Sequence, residues 1–277
     1  MSHYIILFSC SDRPGIVHDV TANLASIKAN IICADQHSTQ DAMGTFFMRL
    51  VFTLPPNAFD AMNHQINHLE QLLDTKIKCY KVTTPLRCSI FVSKEDHCLQ
   101  ELLYQAQSNG LNIAVDSIVS NHPIHKKIAE WYDIPFYNTA NASSSSVDDY
   151  ILSKTQSTDI IIMARYMQIL SPYFLKSYHG DIINIHHSFL PSFPGAKPYH
   201  QAFDRGVKLI GATAHYATMD LDEGPIISQA VESVSHRHRV NDLKLLGAQL
   251  EKKCLTTAVR AISEHRVIIH QNKTIVF

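Results

Sequence analysis

The sequence predicts an α/β protein in two parts: a small βαββαβ unit over residues 1–84 and a doubly wound, mostly parallel sheet over residues 85–277. Three observations carry that expectation. A chain of 277 residues is long enough to bury two separate cores. The first part alternates short apolar runs with amphipathic stretches in the order strand, helix, strand, strand, helix, strand. After the brief seam Thr84-Pro85 the pattern restarts as strands followed by helices, the mark of a parallel sheet with crossovers.

Residues 3–9 read as a buried strand running into Asp12-Arg13-Pro14-Gly15, a strand-to-helix corner. The helix that follows carries Ile16, Val17, Val20, Leu24 and Ile27 on its apolar stripe. Strands over 30–38 and 45–54 flank a turn at 41–44, and a helix over about 58–73 leads to a strand over 76–83. This is a ferredoxin-like order, and one face of its sheet is expected to stay free.

In the second part, strands at 87–93, 112–119, 135–137 and 159–164 alternate with helices over about 96–108, up to Tyr132 and up to about Gln156. The serine-rich stretch 139–146 is the clearest loop. An apolar run at 181–183, strands at 207–216 and 226–234, a helix over about 242–264 and a hairpin of 266–270 with 274–277 complete the chain. The long helix is expected to bury Leu245, Leu246, Leu250, Leu255, Ala258, Val259 and Ile262. Doubly wound, Rossmann-like sheets bind ligands outside the carboxyl ends of their strands. Ser120-Asn121, Arg165-Tyr166-Met167 and Asn184-Ile185-His186 all fall at such ends.

A net charge of -1 offers no basic face for nucleic acid. The N-terminal apolar run, Tyr4 to Phe8, is far too short to cross a bilayer. Six scattered cysteines without a Cys-x-x-Cys pair are expected as reduced thiols of a cytoplasmic protein. Seventeen histidines suggest metal, but no His-Glu-x-x-His spacing supports it. His236-Arg237-His238-Arg239 precedes a helix start and reads as its solvated lead-in, so no metal and no cofactor are expected.

The stretch with chemistry is Asn184-Ile185-His186-His187-Ser188-Phe189-Leu190-Pro191. A strand's period of two puts Asn184 and His186 on one face, where an amide N–H₂ and a ring N–H suit a carbonyl becoming an oxyanion. A base is missing there, and Asp222, within Asp220-Leu221-Asp222-Glu223-Gly224-Pro225, supplies one. Taken alone, Asn184 also reads as a strand-end turn residue and Asp222 as a turn cap; their conjunction with His186 favours a site.

Three motifs together resemble the formyl-folate transferase and hydrolase family over residues 87–277: Ala164-Arg165-Tyr166-Met167-Gln168-Ile169-Leu170, the Asn184–Pro191 stretch, and Gly211-Ala212-Thr213-Ala214-His215 leading to Leu221-Asp222-Glu223-Gly224-Pro225. The front order, with Asp12-Arg13-Pro14-Gly15-Ile16-Val17 and then Asn30-Ile31, resembles the ACT domain, a regulatory module that often binds amino acids at a dimer interface. That front, with Phe193-Pro194-Gly195-Ala196-Lys197-Pro198-Tyr199-His200-Gln201-Ala202, narrows the resemblance to the hydrolytic, deformylase branch.

The resemblance implies that Asn184, His186 and Asp222 are catalytic and that the folate binds at Met167, Gln168, Ile169 and Leu170 and at Thr218, Met219 and Asp220. His215 is taken as a supporting partner in that site and His187 as structural. The substrate would be 10-formyltetrahydrofolate and the products tetrahydrofolate and formate, which would balance the one-carbon pool and feed purine synthesis. Asp12, Gly15, Ile16 and Asn30 would receive an amino-acid effector, and the module would make the protein a homo-oligomer. The loop Ser93-Lys94-Glu95-Asp96-His97 has no glycine and two acids, a poor cradle for the phosphate of an acceptor, which favours water as the nucleophile. Transfer of the formyl group to a small amine, or a non-catalytic amino-acid and folate sensor, remain the alternatives.

Overall fold

The computed structural model describes residues 2–40, 44–141, 147–191 and 198–277. Most of the expected turn at 41–44, most of the serine-rich loop at 139–146 and Phe193-Pro194-Gly195-Ala196-Lys197 lie outside the described residues. The chain divides into two compact units, residues 2–84 with Glu264–Phe277, and Pro85–Ser263.

The first unit runs β1 (Ser2–Ser11), α1 (Ile16–Ser26), β2 (Asn30–Ser38), β3 (Thr45–Leu54), α2 (Phe59–Leu73) and β4 (Lys78–Lys81). Its antiparallel sheet has the order β2-β3-β1-β4. Alternation along β1 and β3 turns Ile6, Phe8, Phe46, Met48, Leu50 and Phe52 into one core with Val20 and Leu24 of α1 and Met62 and Leu69 of α2. Val17, placed on the apolar stripe of α1 by its spacing, is exposed.

The opposite sheet face is not free. Ile5, Leu7, Phe47 and Arg49 on it are buried as well. Residues 264–277 pack with this unit rather than with the second, which shortens the expected second domain of 85–277. Arg49 donates from Nε to the carbonyl of His265 and from Nη2 to that of Glu264, both at 3.0 Å. The ring of His265 stacks on Tyr80 at 3.6 Å, and His270 meets Phe47 edge-on at 5.1 Å.

The second unit holds β5 (Leu86–Val92), α3 (His97–Gln107), β6 (Ile113–Ser120), α4 (Lys126–Trp131), β7 (Phe136–Asn138), α5 (Val147–Thr155) and β8 (Ile160–Met163). It continues with α6 (Pro172–Ser177), β9 (Asp181–His186), α7 (Pro198–Asp204), β10 (Leu209–Tyr216), β11 (Ile226–Ser233) and α8 (Val240–Ser263). The seven strands lie in the order β11-β10-β9-β8-β5-β6-β7. From β9 to β7 all neighbours are parallel, whereas β10 pairs antiparallel with both β9 and β11. The hairpin of β12 (Val267–His270) and β13 (Lys273–Val276) follows α8 and belongs to the first unit.

Two helices, α6 and α7, have no counterpart in the sequence reading. Each is too short to show a helical period, and α6 begins at Pro172 with Ser171 as its cap, accepting from the Phe174 N–H at 3.0 Å. On α8, Leu250, Leu255, Ala258, Val259 and Ile262 are buried as expected, but Leu245 is 71% exposed. The inward stripe passes instead through Leu243 and Gly247, where Tyr199 packs so closely that a Cβ would lie 1.9 Å from its hydroxyl. Among the described residues no helix is long and apolar enough to cross a membrane.

Candidate active site

The site lies where the parallel part of the second sheet meets its antiparallel edge. On β9, Asn184 sits opposite Met163 of β8 and opposite His215 of β10. Cross-strand partners share a sheet face, so the amide of Asn184 and the ring of His215 meet. Asn184 Nδ2 lies 3.3 Å from His215 Nε2, and His215 Nδ1 lies 2.9 Å from the Tyr216 carbonyl. A carbonyl only accepts, so Nδ1 carries the His215 proton. Burial pushes that imidazole below its usual pKa, which keeps the ring neutral and leaves Nε2 bare to accept from Asn184. The amide is thereby turned with its nitrogen toward His215 and a second N–H to spare.

Asp222 comes from the loop between β10 and β11. Its backbone is left-handed, at φ 59, a conformation that Asp tolerates better than most residues. Its carboxylate lies 3.2 Å from His186 Nδ1 and 3.7 Å from His215 Nε2. The hydrogen bond from His186 holds the Asp222 carboxyl below the usual carboxylate value, against the opposing pull of burial. Gly224 sets the loop's position: a Cβ there would stand 1.8 Å from the Tyr216 carbonyl oxygen. Thr218 donates to the Asp220 carbonyl at 2.9 Å and ties the tip of the loop to itself.

Asn184, His215 and Asp222 line one cavity together with Gln168, Ile169, Leu170, Thr218, Met219 and Asp220. Ile169, Met219 and Leu221 project apolar side chains at its mouth. Two expected residues stand apart from this lining. Met167 is held outward by its backbone, whose N–H donates to Ser93 Oγ at 2.9 Å. His186 is only 7% exposed and stands behind Asp222, its Nε2 buried and without a hydrogen-bond partner among the described residues. The expected pair of donors on one carbonyl is therefore divided: Asn184 faces the cavity and His186 faces Asp222.

Beside the site is a buried carboxylate that the sequence reading missed. Glu251 of α8 is 1% exposed. It lies 2.7 Å from His97 Nε2 and 3.3 Å from Arg165 Nε, and it accepts from the Tyr199 hydroxyl at 2.6 Å. Burial alone would raise its pKa, but His97, Arg165 and Tyr199 together outweigh that and hold the carboxyl low. A lone Glu within a helical stripe gives no signal in sequence, although the spacing Gly247-x-x-x-Glu251 puts both on one face. His97, Cys98 and Glu251 also bring ligand-type atoms within 4.8 Å of one another. The donor set suits a cation poorly, because Arg165 already places a positive charge there and burial pushes the Cys98 thiol well up.

The family model described as formyl transferase matches residues 86–259. A formyltetrahydrofolate deformylase of Bacillus subtilis is 42% identical over 98% of this chain and 93% of its own. The chain belongs to the formyltetrahydrofolate deformylases. A crystal structure of such a deformylase from Pseudomonas syringae superposes with a TM-score of 0.93 at 39% identity, covering 100% of this chain and 95% of that one. The likeness to a glycinamide ribonucleotide transformylase from Symbiobacterium toebii is narrower, with a TM-score of 0.66, 27% identity and 72% of this chain.

In this deformylase-family chain the four residues expected to hold an effector are not brought together within one copy. Asp12, Gly15 and Ile16 form the turn from β1 into α1, with Gly15 at φ 91. Ile16 turns its side chain into the core. Asn30 opens β2 opposite Thr53, which pairs with His3 at the start of β1. Helix α1 runs back along the sheet, so Asn30 stands at the opposite end of β1 from Gly15, about 25 Å away at a strand's rise per residue.

Proposed function

We infer that the chain hydrolyses 10-formyltetrahydrofolate to tetrahydrofolate and formate in this cavity. The observation that carries the reading is an amide donor, Asn184, and an ionised carboxylate, Asp222, lining one cavity with apolar side chains at its mouth. Asp222 takes a proton from water as that water attacks the formyl carbon. The oxyanion that forms accepts from the spare N–H of Asn184, an interaction whose loss typically costs about 10²–10³-fold in rate. Collapse of the tetrahedral intermediate breaks the C–N10 bond, and the proton on Asp222 passes to N10. Collapse leaves formic acid, which releases its remaining proton to solvent as formate; tetrahydrofolate departs and the Asp222 carboxylate is regenerated. His186 keeps Asp222 ionised and aimed, and His215 keeps the Asn184 amide turned the right way.

The apolar mouth formed by Ile169, Met219 and Leu221 suits the flat ring system of a folate. Ser93-Lys94-Glu95-Asp96, at the end of β5, offers no glycine-rich turn to an acceptor's phosphate, which supports water as the nucleophile. In the same reading the front unit is an ACT-type module that takes an amino acid and pairs with a second copy. Its element order and the left-handed Gly15 before α1 support that role. With Asn30 remote in the same chain, an effector would meet the Gly15 turn of one copy.

The test is formate release from 10-formyltetrahydrofolate without any amine acceptor, repeated with a panel of amino acids. Stoichiometric formate is expected, with a rate that one or more amino acids change. Turnover only when glycinamide ribonucleotide is added would move the chain to the transferase reaction.

A further inference from the structure

Three segments of the second unit converge on one carboxylate, that of Glu251. Arg165 begins the segment 165–170, whose Gln168, Ile169 and Leu170 form a wall of the cavity. Its own backbone is left-handed at φ 65, an uncommon conformation for an arginine that persists only where surroundings enforce it. The enforcement is visible: the Ser93 N–H donates to the Arg165 carbonyl at 3.1 Å, Met167 N–H donates to Ser93 Oγ, and Ser93 Oγ donates to Asn121 Oδ1 at 2.7 Å. The Arg165 guanidinium points away from the cavity to Glu251, where Nε stands 3.3 Å from Oε2.

The same carboxylate holds His97, the first residue of α3, and Tyr199, near the start of α7. It therefore fastens to α8 the segments that follow β5, β8 and β9, and the last two of these strands bring Met163 and Asn184 to the cavity. Neither Glu251 nor Tyr199 lines the cavity beside Asn184 and Asp222.

From this geometry we propose that Glu251 is a positioning residue for folate binding: its carboxylate anchors the Arg165 side chain, as the Ser93 hydrogen bonds anchor its backbone, and the two together hold the 165–170 wall in place. Asn184 lies on the strand β9 itself and Asp222 on a loop from the other side of the cavity, so both keep their places when this fastening is loosened. The consequence is a division of effects. Loss of the carboxylate charge weakens substrate binding and spares the chemical step. The proposal rests on the hydrolase reading only for its kinetic readout, since binding of a folate can be measured without turnover.

The experiment uses the full chain and Glu251→Gln, which keeps the side chain's shape and removes its charge beside Arg165. Formate release gives kcat and KM, and calorimetry with a non-hydrolysable 10-substituted folate analogue gives Kd. KM and Kd are expected to rise together by about tenfold or more, with kcat within about threefold of wild type. A variant with KM and Kd unchanged, or with kcat reduced and KM unchanged, would overturn the proposal. Should Glu251→Gln fail to fold, Tyr199→Phe removes a single hydroxyl from the group and is expected to raise Kd by about two- to fivefold at unchanged kcat; unchanged Kd there also overturns it. In the double variant the two effects should be less than additive, because both act through one carboxylate, and full additivity contradicts the hub. A wild-type protein that binds the analogue but releases no formate refutes the hydrolase reading, and the Kd comparison still judges the role of Glu251.

Discussion

At the scale of single residues, Asp222 is defined by what stands behind it. His186 lies 3.2 Å from its carboxylate and keeps it ionised in a half-buried loop. Asp222→Asn retains the size of the side chain and removes the proposed base, so kcat should fall at least about a hundredfold while circular dichroism still reports a folded protein. The same pair fixes a pH dependence. The folded pKa of Asp222 lies below its ordinary value of 3.8, so the unfolded state binds the proton more readily. The stabilisation is therefore full above that value and lost as pH falls through the lower folded one. Thermal melting of wild type against Asp222→Asn should show a constant difference from neutral pH down to about 5 and a shrinking one below about 4. Asn184 and Asp222 were legible in the sequence because a strand's period and an Asp-x-Gly-Pro turn each announce a side chain at an edge. The division of labour between Asn184 and His186 was not, since spacing shows which face a ring shares and not which nitrogen is buried.

Among the elements, the β10–β11 loop carries Asp222, the proposed base, and its path depends on Gly224. A methyl group there would meet the Tyr216 carbonyl oxygen at 1.8 Å, backbone against side chain, so the loop has to move. Gly224→Ala should lower kcat by about tenfold or more, by displacing Asp222, and cost about 1–3 kcal/mol in a denaturant titration. Unchanged kinetics would mean that the loop adjusts without moving Asp222. The strands and long helices were readable from their periods, and so was the convergence of 168–170 and 218–220 on one cavity through the resemblance. Helices α6 and α7 were not readable, being six and seven residues long. The apolar period of α8 points Leu245 inward, whereas the observed stripe passes through Gly247 against the bulk of Tyr199, which no period reveals.

For the whole molecule, the division into two units was legible at the Thr84-Pro85 seam, but the return of residues 264–277 to the first unit was not. A hairpin sequence carries no address; what assigns it is the buried guanidinium of Arg49, 8% exposed, reaching two carbonyls just past the end of α8. Arg49→Ala should cost that unit about 2–4 kcal/mol, because two hydrogen bonds from a charged donor are lost and their carbonyls stay half-buried. Calorimetry should place the loss in one of two melting transitions, and a single unshifted transition would contradict the assignment. The central claim concerns the reaction itself: water is the nucleophile, and Asp222 activates it. Single-turnover hydrolysis of 10-formyltetrahydrofolate in ¹⁸O-labelled water, followed by mass spectrometry of the formate, tests it most directly. The expected result is one labelled oxygen per formate at the wild-type rate and the same product at least about a hundredfold more slowly with Asp222→Asn. Formate without label, or equal rates in the two proteins, would contradict it.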